Sequence, residues 1–88
     1  RPAPPIVTLY PDPETASIGI GWSQPISDVE VAHYDVTAIE PDGQVAVGRG
    51  LDSATRDAVF AVPRSQVPAT IRVDAVGVNG VVSSGEAQ

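Results

Sequence analysis

The 88-residue sequence has no cysteine, no methionine and no lysine, and holds one asparagine, one histidine, one tryptophan and one phenylalanine. Without cysteine there is no disulfide framework and no thiolate metal site, and redox chemistry says nothing of the compartment. Five arginines against eleven acids leave a net charge of −6. That balance argues against nucleic acid and against anionic membranes, which both select a surplus of basic residues. No apolar run approaches the roughly 20 residues that span a bilayer, so no membrane insertion is expected. The chain opens at Arg1 without an apolar leader segment, and reads as a piece of a larger multidomain protein. Its length suits one domain and leaves no room for a catalytic domain beside a binding domain.

What is present points one way. Fourteen valines and six isoleucines stand against two leucines, and nine prolines and eight glycines interrupt the chain. β-Branched residues suit a pleated, half-buried surface, and punctuation this dense leaves no long helix. The expected fold is all-β. Arg1-Pro2-Ala3-Pro4-Pro5 reads as an extended, proline-rich linker over residues 1–5, with a single domain over 6–88. Seven strands are expected, at 6–10, 16–23, 31–39, 44–49, 56–62, 69–76 and 81–84, the number and spacing of an antiparallel sandwich. In the second strand Ala16, Ile18, Ile20 and Trp22 alternate with small residues. In the third, Ala32, Tyr34, Val36 and Ala38 turn inward while His33, Asp35, Thr37 and Ile39 turn outward. Ala58, Phe60 and Val62 of the fifth strand and Ala69, Ile71, Val73 and Ala75 of the sixth complete the expected core. Glu40-Pro41-Asp42-Gly43 has the proline and glycine placement of a type I turn. Asn79-Gly80 carries the signature of a type I′ hairpin, which needs positive φ at both central residues.

Taken together, Pro4-Pro5, Ile18-Gly19-Ile20-Gly21-Trp22, Tyr34-Asp35-Val36, Val73-Asp74-Ala75-Val76, Gly80 and Ser83-Ser84 resemble the fibronectin type III family over nearly the whole chain. The resemblance implies a seven-strand antiparallel β-sandwich with an immunoglobulin-like Greek key, its core filled by Trp22 from the second strand and Tyr34 from the third. One departure stands out. The family's tyrosine at the start of the sixth strand falls here on Ala69, and the approach to it, residues 62–68, carries two prolines that would stiffen this corner instead.

Candidate chemistry is sparse. His33 beside Asp35 has no second histidine or cysteine to complete a metal site, and reads as a solvated imidazole. The seven serines lack a glycine-flanked nucleophile elbow. Asp12, Glu14, Asp28 and Glu30 lack the close spacing of a calcium loop. Arg49-Gly50-Leu51-Asp52 is broken by its leucine as an integrin-binding tripeptide. No catalysis and no cofactor are expected. Tyr10 is the one aromatic left for the surface, a poor platform for a glycan on its own.

The outer face of the sheet containing the third, fourth, sixth and seventh strands is the candidate contact surface. Parity places Ile39 and Val76 there, with one of Val45 and Val47 and one of Val81 and Val82, rimmed by Thr37, Asp35, Arg72 and Asp74. The expected function is that of a non-catalytic module. It would serve as a spacer or protein-interaction domain, monomeric in isolation, contacting neighbouring domains of its parent chain or a protein partner. The family resemblance implies an extracellular or cell-surface setting and suits both animal surface receptors and secreted bacterial polysaccharide-degrading enzymes, and the composition tilts the expectation toward a secreted or surface-associated bacterial protein. The alternative is a carbohydrate-binding accessory module of a polysaccharide-degrading enzyme.

Overall fold

The computed structural model describes residues 1–61 and 70–88. Among the described residues seven strands follow in order: β1 (Ile6–Asp12), β2 (Ser17–Ser23), β3 (Val31–Glu40), β4 (Gly43–Asp52), β5 (Asp57–Ala61), β6 (Thr70–Gly77) and β7 (Val82–Ala87). All pairings are antiparallel, in a three-stranded sheet β1-β2-β5 and a four-stranded sheet β4-β3-β6-β7, consistent with a β-sandwich. The expected core residues Val62 and Ala69, and the proline-bearing corner between them, lie outside the described residues.

The core follows from alternation. Ile18, Ile20 and Trp22 from β2 face Tyr34, Val36 and Ala38 from β3 and Ile71, Val73 and Ala75 from β6, all buried. Val7, Leu9, Leu51, Ala58 and Phe60 close its margins. The Trp22 and Tyr34 rings pack at a centroid distance of 5.4 Å with their planes tilted by 57°, within the range aromatic pairs prefer. Ala32 departs from the expected inward position and is exposed, because the pairing of β3 with β6 slips between Val31 and His33.

Strand β4 runs three residues beyond the expected stretch at its far end. It reaches Asp52 by accommodating two register irregularities against β3. At the second, Gly50 takes a left-handed φ of 61°, and its N–H donates to Asp35 Oδ1 at 2.8 Å. The carboxylate thus supplies the acceptor that the disrupted ladder withholds. Neither valine of β4 joins the outer face. Val45 pairs with Ala38 and shares its side of the sheet, and Val47 packs on the core.

The hairpin between β6 and β7 forms where expected, with a different turn. Gly80 has positive φ and Asn79 does not, so a type I′ turn is excluded. Gly80 N–H donates to Gly77 O at 2.8 Å and Gly77 N–H to Val81 O at 2.9 Å, closing a three-residue loop with glycine in its last, left-handed position. Asn79 Oδ1 accepts from Val81 N–H at 3.2 Å, so the side chain does the turn's work without entering the left-handed region.

The largest correction concerns residues 1–5. They are not a free linker: Pro2 and Pro5 are buried. Proline offers acceptors and no donors, and the segment is held accordingly by its carbonyls. The buried Ser83 hydroxyl donates to Pro2 O, and Gln24 Nε2 donates to Ala3 O at 2.7 Å. Two glycines make the room. A Cβ on Gly85 would be driven into the Pro5 carbonyl, and one on Gly77 would lie 2.9 Å from Val29 and 3.1 Å from Pro2. Residues 1–5 are therefore a strap along β7.

Candidate functional site

The pairings Ile6 with Ser23 and Val31 with Gly77 bring the strap, residues 24–30, residues 53–56 and the β6–β7 turn to one pole. Residues 13–16, residues 41–42 and the end of β7 lie at the other. At the first pole a cleft of about 340 Å³ is lined by Gln24, Pro25, Val29, Val31, Ser53 and Tyr34 among others. Its polar floor is tied together. The Tyr34 hydroxyl donates to Gln24 Oε1 at 3.0 Å while Gln24 Nε2 donates to the strap, so one glutamine links the core tyrosine to the N-terminal segment.

Arg56 stands over the Tyr34 ring, its guanidinium carbon 5.3 Å from the centroid. Its Nη1 donates to Ser53 O and Thr55 O, both at 2.8 Å. Stacking on one side and two carbonyls on another fix an exposed cation in place. Burial pushes the Tyr34 hydroxyl above its ordinary value, against the pull of the Arg56 cation and of the Trp22 indole. The indole N–H itself has no aligned acceptor among the described residues. Glu30 lines the same cleft, and residues 24–30 are braced by Ser27 Oγ on Val29 O and by Val78 N–H on Glu30 O.

The outer face of the four-stranded sheet does not assemble one apolar patch from the residues the sequence singled out. Ile39 pairs with Thr70 and Val76 with His33. Six residues of strand, about 20 Å, separate the two ends. Val82, opposite Val76, extends the apolar end on that side. Between them lies a polar centre. Arg72 Nε sits 3.2 Å from Asp74 Oδ1, Ser84 Oγ donates to the same oxygen at 2.6 Å, and His33 Nε2 is 3.9 Å from Asp35. Thr37 is fully buried, with no partner for its hydroxyl among the described residues, and cannot rim a contact. It lies opposite Arg72 and Ala46 in the middle strand of the polar centre, which closes over it.

The outer face of the three-stranded sheet is barer than its sequence indicates. Tyr10, Gly19 and Val59 lie in one row across β1, β2 and β5. The Tyr10 ring runs along Gly19 and Gly21, where a Cβ on Gly21 would come within 3.1 Å of it, yet the residue stays 61% exposed. Val59 and Ile6 are exposed on the same face. The two glycines thus have a reason that alternation alone does not reveal: they seat the tyrosine.

Asp12, Glu14, Asp28 and Glu30 gather no metal site, and no group of three or more candidate ligands occurs among the described residues. Asp12 and Asp52 instead accept from backbone N–H groups two residues on, as turn carboxylates do. Leu51 of the broken tripeptide packs inward against the core. Arg56 carried no signal in the sequence beyond its place at the start of the expected fifth strand. Only the fold brings it over Tyr34. Compared with family models, with curated proteins and with solved structures, the chain has no match in any of the three.

Proposed function

We propose that the chain is a non-catalytic module of the fibronectin type III kind, a spacer and protein-interaction domain in a larger extracellular or surface-associated protein. The topology supports the architecture. β3 lies beside β6, and the hairpins β3–β4 and β6–β7 are joined through β5 in the opposite sheet, the non-consecutive pairing of Greek-key sandwiches. The observation that carries the spacer role is the placement of the two end segments. The strap is seated at one pole and β7 runs to the other, along a molecule whose long dimension is 41 Å. Neighbours joined to such a body are held apart at a fixed separation rather than on a flexible tether. Small-angle scattering of the chain with a reporter domain fused at each end tests this. A single well-defined separation is expected, and a broad range of separations overturns the reading.

The seating of Tyr10 favours one second reading, a carbohydrate-binding module that stacks a sugar on this ring. Retention on chitin or cellulose that is lost in Tyr10→Ala would establish it. The spacer reading expects no retention, since Trp22 and Tyr34 are buried and a single ring remains.

A further inference from the structure

The two charged walls of the polar cleft are the part of this surface most specifically built. Arg56 is held by Tyr34 and by two carbonyls through Nη1 alone, leaving Nε and Nη2 without partners among the described residues. Glu30 uses its backbone carbonyl to brace the β6–β7 turn, and its carboxylate makes no ion pair among the described residues. Neither charge neutralises the other. Pro25, Ile26, Val29 and Val31 line the same cleft, with Ile26 fully exposed. A cleft with an apolar lining and a few oriented polar groups is the form that binding sites take.

We propose that this cleft receives an extended peptide segment of a partner protein that presents an acidic and a basic side chain to it. The inference rests on the protein-interaction reading and supplies its partner chemistry. Charge complementarity sets the two ends: the carboxylate meets the free donors of Arg56, and the cation meets Glu30. The lining agrees. The aliphatic stems of a glutamate and an arginine cover apolar surface while their heads remain polar, which suits a cleft lined by valines together with both charges. A uniformly acidic segment is repelled by Glu30 and by the net charge of −6, and a uniformly basic one meets Arg56.

Nuclear magnetic resonance titration of the isotope-labelled chain tests this with blocked pentapeptides of sequence Ala-Glu-Ala-Arg-Ala and two controls, each with one charge replaced by glutamine. At concentrations up to about 10 mM, where millimolar contacts register, the doubly charged peptide is expected to shift the amide signals of residues 24–31 and 53–57. The controls are expected to shift them at least about threefold less at equal concentration. Glu30→Gln is expected to remove the preference for the peptide's arginine, and Arg56→Gln the preference for its glutamate. Glu30 makes no side-chain hydrogen bond among the described residues, so its variant remains informative should Arg56→Gln perturb the fold. Equal shifts from all three peptides, or no shifts in these residues, overturn the proposal. Shifts confined to the outer face around Ile39 or Val76 overturn the cleft while leaving a protein-interaction role standing, and the separation of the fused reporters is independent of both.

Discussion

Emptying the Trp22 site should cost about 3–5 kcal/mol, as truncation of a large buried aromatic does. The ring is buried against Tyr34 in the core between the two sheets. Chemical denaturation of Trp22→Ala checks this, and a loss under about 1 kcal/mol would mean that the site collapses around the cavity. Tyr34 makes stability depend on alkaline pH. Its proton is held more tightly in the folded chain than in the unfolded one, where the ordinary pKa is about 10. The unfolded state therefore releases that proton first. The contribution is intact below about pH 10 and is lost as pH rises toward the higher folded value. Tyr34→Phe should be less stable at neutral pH, having lost the bond to Gln24, yet should show a flatter decline above pH 10. An unchanged alkaline slope would contradict the assignment. Ala16 adopts a left-handed φ of 50° ahead of β2, which costs a residue with a Cβ roughly 1–2 kcal/mol. Ala16→Gly should raise the melting temperature despite the freer unfolded chain. Ile18, Ile20 and Trp22 of β2, Tyr34, Val36 and Ala38 of β3 and Ile71, Val73 and Ala75 of β6 were legible because alternation is a short-range signal. The backbone of Ala16 was not, because a positive φ on alanine answers to the turn around it and not to its own preference.

At the scale of elements, the strap is the feature that composition concealed. Three prolines in five residues describe an extended segment equally well whether it is free or packed. What decides is the room opened by Gly77 and Gly85, some eighty residues away in the chain. Gly85→Val should expel the strap from β7, exposing the Pro2 and Pro5 sites while leaving the sheets paired. Protease cleavage near the N-terminus, slow in the native chain and fast in the variant, reads this out. Equal cleavage of both would show that the strap is not held. The bulges of β4 escaped the sequence for a related reason. Glycine at 48 and 50 marks an irregular strand, but the acceptor that stabilises it, Asp35, sits on the neighbouring strand. The Asn79-Gly80 signal located its hairpin and misassigned its turn, since Asn79 gains more from bonding Val81 with its side chain than from the left-handed region. The outer face of the four-stranded sheet was legible only as parity: Ile39 and Val76 do lie outward, and their separation along the strands is a property of register.

For the whole molecule, the proposed spacer role requires a rigid body whose first and last segments are fixed at opposite poles. The lack of cysteine makes this directly measurable, because spin labels can be placed at introduced Cys side chains with no competing thiol. Pulsed electron resonance between labels in the doubly substituted variant Arg1→Cys and Gln88→Cys reads the distribution of end-to-end distances. The account predicts one narrow peak, no longer than the 41 Å long dimension plus the label tethers, which broadens when Gly85→Val frees the strap. A broad distribution in the unmodified background, unaffected by Gly85→Val, would contradict it and return residues 1–5 to the role of a flexible linker.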